Sequence, residues 1–164
     1  MSDEEYCCAK DKIAELNNTI VTNLKTTDDT TYIRWGRTVC SKTEFLVYDG
    51  YAAGSHYTDK GTASNILCLP KDPNYDQITN GYQPGGSIYG AEYETSNRGH
   101  WSHLQDLEVP CAVCRTPRHN VIMVPGKNEC HMNNMLEYKE YLMSEYYGHE
   151  GSSEFVCVDD QPEG

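Results

Sequence analysis

A chain of 164 residues with a formal net charge of −12 offers no basic footprint for nucleic acid. Eight cysteines are more than a reducing compartment favours. No run of 18 apolar residues is present to cross a membrane as a helix. These bounds point to a secreted, extracellular chain with one domain, or two small ones, and an appendage. The start, Met1-Ser2-Asp3-Glu4-Glu5, is acidic where a signal peptide needs a basic start and an apolar stretch. Secretion is therefore inferred from the cysteines alone. The charge is also uneven. Residues 31–127 balance nine basic against nine acidic side chains, whereas residues 136–164 carry eight acidic ones and only Lys139, which reads as a solvated end.

Taken in order, Ser2 and Glu5 have the spacing of a capping box. Behind them Tyr6, Ala9, Ile13, Leu16, Ile20 and Asn23 alternate by three and four, the seam of a short coiled coil over residues 3–25. An amphipathic helix lying on its own domain has the same stripe. Cys7 and Cys8 favour self-association, because adjacent cysteines bond each other poorly and can link neighbouring chains instead. The seam predicts a homotrimer, with a tetramer as the alternative. Asn17 opens a glycosylation sequon. Residues 26–31 then read as a polar linker.

From Tyr32 onward short apolar runs, tyrosines and glycine-rich turns predict β structure. Strands are expected at Glu44-Phe45-Leu46-Val47-Tyr48, Ile66-Leu67-Cys68-Leu69, residues 87–93 and Val121-Ile122-Met123-Val124. A turn is expected at Asp49-Gly50 and a long loop over residues 72–86. A second half repeats the first. The order cysteine, leucine, tyrosine, glycine, cysteine recurs as Cys40, Leu46, Tyr51, Gly61, Cys68 and as Cys130, Leu136, Tyr141, Gly151, Cys157. His56-Tyr57 falls on Tyr146-Tyr147 in this alignment. We read an internal duplication, repeat 1 about 32–117 and repeat 2 about 118–160, packed about a pseudo-twofold axis.

The Cys111-Ala112-Val113-Cys114 pair has three readings. A redox pair wants a helix directly after it, and Pro117 follows too soon. A zinc site from Cys111, Cys114, Cys130 and His131 strands Cys40, Cys68 and Cys157. Structural disulfides account for all six. No loop has calcium-ligand spacing, and neither a cofactor motif nor a hydrolase motif is present, so the chain reads as a non-enzyme without metal. Glu92 and Glu94 share one strand face and could seat two carboxylates, but nothing around them sets an acid and a base apart.

These residues resemble the C-terminal noncollagenous domain of type IV collagen, and more closely that of sponge and invertebrate short-chain, spongin-like collagens. Cys40…Leu46…Gly50-Tyr51…Cys68-Leu69, the stretch Pro110 to Pro117 and the second Cys130…Leu136…Tyr141…Cys157 carry the likeness. So do Arg34-Trp35-Gly36-Arg37, Tyr89-Gly90-Ala91-Glu92-Tyr93 and Glu154-Phe155-Val156-Cys157-Val158-Asp159. The resemblance spans about residues 32–162. It implies a mainly β, disulfide-bonded, duplicated antiparallel domain (32–164) that trimerises, with Cys40 paired to Cys114 and Cys68 to Cys111. The second CxxC is missing here, so Cys130 and Cys157 are expected to pair directly. No Gly-X-Y triplets accompany the domain, and residues 3–25 take over the trimerising role.

Two functions follow as expectations. One is a secreted, oligomeric carbohydrate-binding protein, a lectin, whose partners are glycans or matrix glycoproteins. Its candidate sugar-binding residues are Arg37, His56, Asp59, Asn65, Glu92 and Tyr93, because sugar sites combine an apolar face with a few oriented polar groups. The other is an extracellular-matrix assembly protein acting by self-association.

Overall fold

The computed structural model describes residues 29–41, 45–83, 85–127, 129–130 and 135–164. Cys7, Cys8, Asn17, the helix at 3–25, residues 26–28 of the expected linker and His131 lie outside the described residues, and Thr30 and Thr31 of that linker are strand. The described chain is mainly β. Seven strands form one sheet: β1 Thr30–Trp35, β2 Leu46–Gly54, β3 Leu67–Pro70, β4 Tyr89–Gly90, β5 Pro110–Thr116, β6 Glu140–Met143 and β7 Val156–Asp159. Their order is β3-β2-β5-β1-β7-β6, with β4 paired to the end of β2. No helix of the described residues is long and apolar enough to cross a membrane.

The Cys-Ala-Val-Cys stretch is itself a strand, and it is the middle of the sheet. β5 pairs antiparallel with β1 on one side and β2 on the other. Side chains on a strand alternate faces, so residues three apart point to opposite sides. Cys111 and Cys114 therefore serve two faces of one sheet. Cys111 bonds Cys68 and packs with Trp35, Ala52 and Val113, whereas Cys114 bonds Cys40 and packs with Ala112 and Tyr32. Both half-cystines on β5 are fully buried. The two pairings are those the resemblance implies. Cys130 and Cys157 are oxidised as well. Since Cys111 and Cys114 are bonded elsewhere, they form neither a redox pair nor half of a zinc site.

Four sequence expectations need correction. The sheet is mixed rather than antiparallel, because β1 and β7 run parallel where Trp35 meets Val158. Asp49-Gly50 is not a turn: β2 runs straight through it, and Gly50 pairs with Pro70 on one side and Cys111 on the other. Val121 to Val124 joins no strand. Val121, Ile122 and Met123 instead line a cavity of about 300 Å³ beside Tyr32, Ile33 and Phe155. An apolar run does not by itself make a strand, and here Ile122 and Met123 are exposed. The segment 87–93 is strand only at β4, with one further bridge from Glu92 to Glu108.

The proposed repeats share one local feature. In the β2–β3 hairpin Tyr51 faces Leu69 and Ala52 faces Cys68. In the β6–β7 hairpin Tyr141 faces Val158 and Leu142 faces Cys157, the same register at the aligned positions. The hairpins join the central strands differently. The first does so through β2 and the second through β7, so the aligned strands do not occupy matching places in the sheet.

One sheet face is covered by residues 91–109, including the 3-10 helix Gly99–Leu104. Three residues per turn puts Trp101 and Leu104 on one side, and both are buried. Trp101 meets Tyr141 edge to face at 4.6 Å between ring centroids. The buried Thr95 hydroxyl donates to the Trp101 carbonyl at 2.9 Å.

The other face holds a buried ionisable group. Glu140 is fully buried opposite Asp159, whose carboxylate accepts from Arg34 Nε at 2.7 Å. Neither Glu140 carboxyl oxygen has a hydrogen-bond partner among the described residues. Burial first, then the Asp159 charge, pushes its carboxyl up to about 10, with Arg34 opposing. The unfolded carboxyl titrates near ~4.3. Between those values the native state holds a proton that the unfolded chain has released, so stability falls as pH rises through that window. Glu140→Gln is expected to raise stability at pH 7 by about 2–3 kcal/mol, with little change at pH 4. Urea midpoints measured from pH 4 to pH 9 check this, and a parallel pair of curves would refute it.

Candidate functional site

The covered face opens at one end into a groove of about 890 Å³. Its floor is sheet, with Trp35, Ala52 and Val158. Its walls come from residues 54–66, 89–98 and 143–153. Glycine, serine and threonine turns let the first and last of these segments leave their strands and face each other. Backbone bonds then hold them together: the Glu150 N–H donates to the Tyr57 carbonyl at 3.1 Å and the Glu154 N–H to the Ser64 carbonyl at 2.8 Å. The Ile66 N–H donates to Glu154 Oε1 at 2.7 Å, and Lys60 meets Glu150 at 3.2 Å on the outer rim.

A continuous run of six rings lines this groove. Tyr89 contacts His56 at 4.8 Å and His56 contacts Tyr57 at 4.5 Å between centroids. Tyr57 contacts His149 at 4.8 Å, His149 contacts Tyr146 at 5.4 Å, and Tyr146 contacts Tyr147 at 4.5 Å. Aromatic rings of this kind are usually inside a domain, yet Tyr147 is 92% exposed and Tyr57 and Tyr146 are about half exposed. Polar groups are placed among them. His56 Nδ1 accepts from the Thr58 N–H at 3.4 Å and also meets the Thr58 hydroxyl at 2.8 Å, which leaves Nε2 as the donor position. Glu145 Oε1 lies 3.1 Å from His149 Nδ1, and the Glu145 N–H donates to Ser153 Oγ at 3.0 Å.

Of the six residues predicted to bind sugar, four line the groove: His56, Asn65, Glu92 and Tyr93. Tyr93 forms its floor rather than a platform. It is almost fully buried, and its hydroxyl points towards Gly36, where an added Cβ would lie 3.2 Å from it. That hydroxyl has no hydrogen-bond partner among the described residues, and burial raises its pKa, helped by Glu163 and Asp159. Asp59 lies outside the groove in the adjoining turn, where its carbonyl accepts from the Thr62 hydroxyl at 3.3 Å. Arg37 is elsewhere. Its Nη1 donates to the Gln161 carbonyl at 2.7 Å, and its Nε lies 3.1 Å from Glu163 Oε1 without the alignment of a hydrogen bond.

Arg37 therefore belongs to a clasp on the C-terminal tail. Glu163 Oε2 accepts from the Thr38 N–H at 3.0 Å and from its hydroxyl at 2.8 Å. Burial pushes the Glu163 carboxyl up, but these donors and Arg37 outweigh it and hold the group below the ordinary carboxylate range.

The residues missed from sequence are Tyr57, Tyr89, Glu145, Tyr146, Tyr147 and His149. One signal for them was present: His56-Tyr57 aligns with Tyr146-Tyr147, and these two dipeptides meet around His149 in the groove. Among the described residues no three His, Cys, Asp or Glu side chains gather as a metal site. Compared with known proteins, the chain matches no family model, no curated protein and no solved structure.

Proposed function

We propose that this chain is a secreted carbohydrate-binding protein, a lectin, whose site is the aromatic groove. The carrying observation is the run of six rings, four of them exposed, beside the polar groups of His56, Asn65, Glu92 and Glu145. A sugar has apolar faces of C–H bonds and a rim of hydroxyls, so it suits rings for stacking and fixed polar atoms for orientation. In this reading the domain is a duplicated one of the type IV collagen noncollagenous kind. The disulfide pairing of Cys40 with Cys114 and Cys68 with Cys111, and the matched hairpin registers, support that view. Residues 3–25 oligomerise it, as a trimer or a tetramer sealed by Cys7 and Cys8, and the resulting multivalency raises the avidity of weak sites.

Agglutination of cells, inhibited by a simple sugar, tests the reading. Tyr57→Ala and Tyr146→Ala should each weaken glycan binding about tenfold while leaving the unfolding midpoint unchanged, since each ring is half exposed. Absence of sugar-inhibited agglutination, together with a flat response on a glycan array, would overturn it.

Matrix assembly is the second reading, favoured by a different surface. β3 is an edge strand of the sheet, and Tyr51, Leu67 and Leu69 are exposed on it and its neighbour. Open apolar edges pair with other chains. Leu67→Lys with Leu69→Lys would then lower self-association in sedimentation without touching sugar binding.

A further inference from the structure

Resting on the carbohydrate reading of the groove, we propose that its ligands are cationic amino-sugar glycans, and that it rejects sulfated or otherwise anionic ones. The argument is one of charge and ring chemistry together. Glu92, Glu94 and Glu145 line the groove against one guanidinium, Arg98, and two imidazoles, His56 and His149. Glu145 is half-buried and held by Ser153 at its backbone and by His149 at its carboxylate, so its charge is fixed in place rather than swinging in solvent. The tyrosines Tyr57, Tyr89, Tyr146 and Tyr147 line the same groove. The π face of an aromatic ring carries partial negative charge and attracts an ammonium group, more strongly where water is partly excluded. Carboxylates and ring faces therefore favour the same sign of ligand. The chain's net charge of −12 adds a field that repels polyanions before they arrive.

A neutral sugar would use the rings and hydrogen bonds to the polar groups. A sugar bearing a free amine would use the rings and the carboxylates together. That second contribution is electrostatic, so it weakens as salt rises.

The test is a comparison of four hexamers on the full chain at pH 6, by calorimetry at low and at high salt. They are the β-1,4 glucosamine hexamer, its N-acetylated counterpart, a heparin hexasaccharide and hexalysine. The expected result is binding of the glucosamine hexamer about tenfold tighter than its acetylated form, a difference of ~1.4 kcal/mol. That preference should shrink at high salt and disappear in Glu94→Gln with Glu145→Gln. Equal or tighter binding of the acetylated hexamer overturns the inference and leaves the carbohydrate reading standing. Preference for heparin also overturns it. Hexalysine binding as well as the glucosamine hexamer overturns both, because a generic cation site would then explain the groove. Binding of none of the sugars overturns the carbohydrate reading itself.

Discussion

Replacing Cys68 and Cys111 by alanine is expected to cost about 4 kcal/mol of stability, and replacing Cys40 and Cys114 about the same. The bridges span 43 and 74 residues, and each removes loop-closure entropy from the unfolded chain that grows slowly with loop length. Alanine is the right replacement, because the β5 positions are fully buried and a serine hydroxyl there would add its own desolvation cost. Domains of this size are stable by only ~5–15 kcal/mol. Loss of both bridges is therefore expected to leave a chain without a cooperative thermal transition. Urea unfolding followed by circular dichroism reads the single pairs, and non-reducing peptide mapping reads the pairing. The map should return Cys40–Cys114 and Cys68–Cys111, with Cys130 and Cys157 oxidised. Unchanged urea midpoints would show that the bridges decorate a sheet already stable without them.

The second large effect is expected at Gly50. It lies in mid-strand between β3 and β5, and a Cβ built on it would fall 1.7 Å from the Leu69 carbonyl oxygen. That atom is backbone in a paired strand, so it has no side-chain rotation by which to move away. Gly50→Ala must either break the Gly50–Pro70 end of the hairpin or displace β3, which also carries Cys68. A loss of about 3 kcal/mol or more follows, at the upper end for a single added methyl. Glycine at an exposed loop position such as Gly85 has nothing within 4 Å of its Cβ, so Gly85→Ala serves as the control. Equal thermal midpoints for the two variants would refute the close approach.

The two predictions share a cause that bears on how much could be read in advance. The sequence predicted Asp49-Gly50 as a turn because Asp-Gly is a strong hairpin signal between apolar runs. Gly50 is there instead because another strand's backbone passes close by, a reason invisible without that neighbour. β5 was missed for a related reason. Prolines at 110 and 117 bracket it, and its buried residues are small, so it has no β-branched run to advertise it. The strand expected at Val121 to Val124 had the right composition, yet the segment lies beside Tyr32, Ile33 and Phe155 without pairing to a strand.

The groove was half legible. His56, Asn65, Glu92 and Tyr93 come from two segments whose residue types suited sugar chemistry. Arg37 suited it equally well, yet folding carried it to the tail clasp, since a guanidinium goes to the nearest carboxylate and carbonyl that geometry allows. Tyr146, Tyr147 and His149 sit about ninety positions from His56 in the chain, and no local pattern marks them as its neighbours.

What the sequence determined by itself is what depends on residue type and short spacing. The cysteine count implied disulfides, the texture after Tyr32 implied β structure, and the charge excluded a nucleic-acid footprint. The aligned cysteine and tyrosine positions fall at the same register in the two hairpins, because register is set by local alternation and turn length. Tertiary structure decided everything that depends on which distant strands lie side by side. It placed β7 parallel to β1, joined the second hairpin through its last strand, and sent Cys111 and Cys114 to opposite faces. It also buried Glu140 against Asp159 and closed two remote loops into one aromatic groove. Each of these is a contact between segments far apart in the chain, and only the closing of the sheet brings such segments within reach of each other.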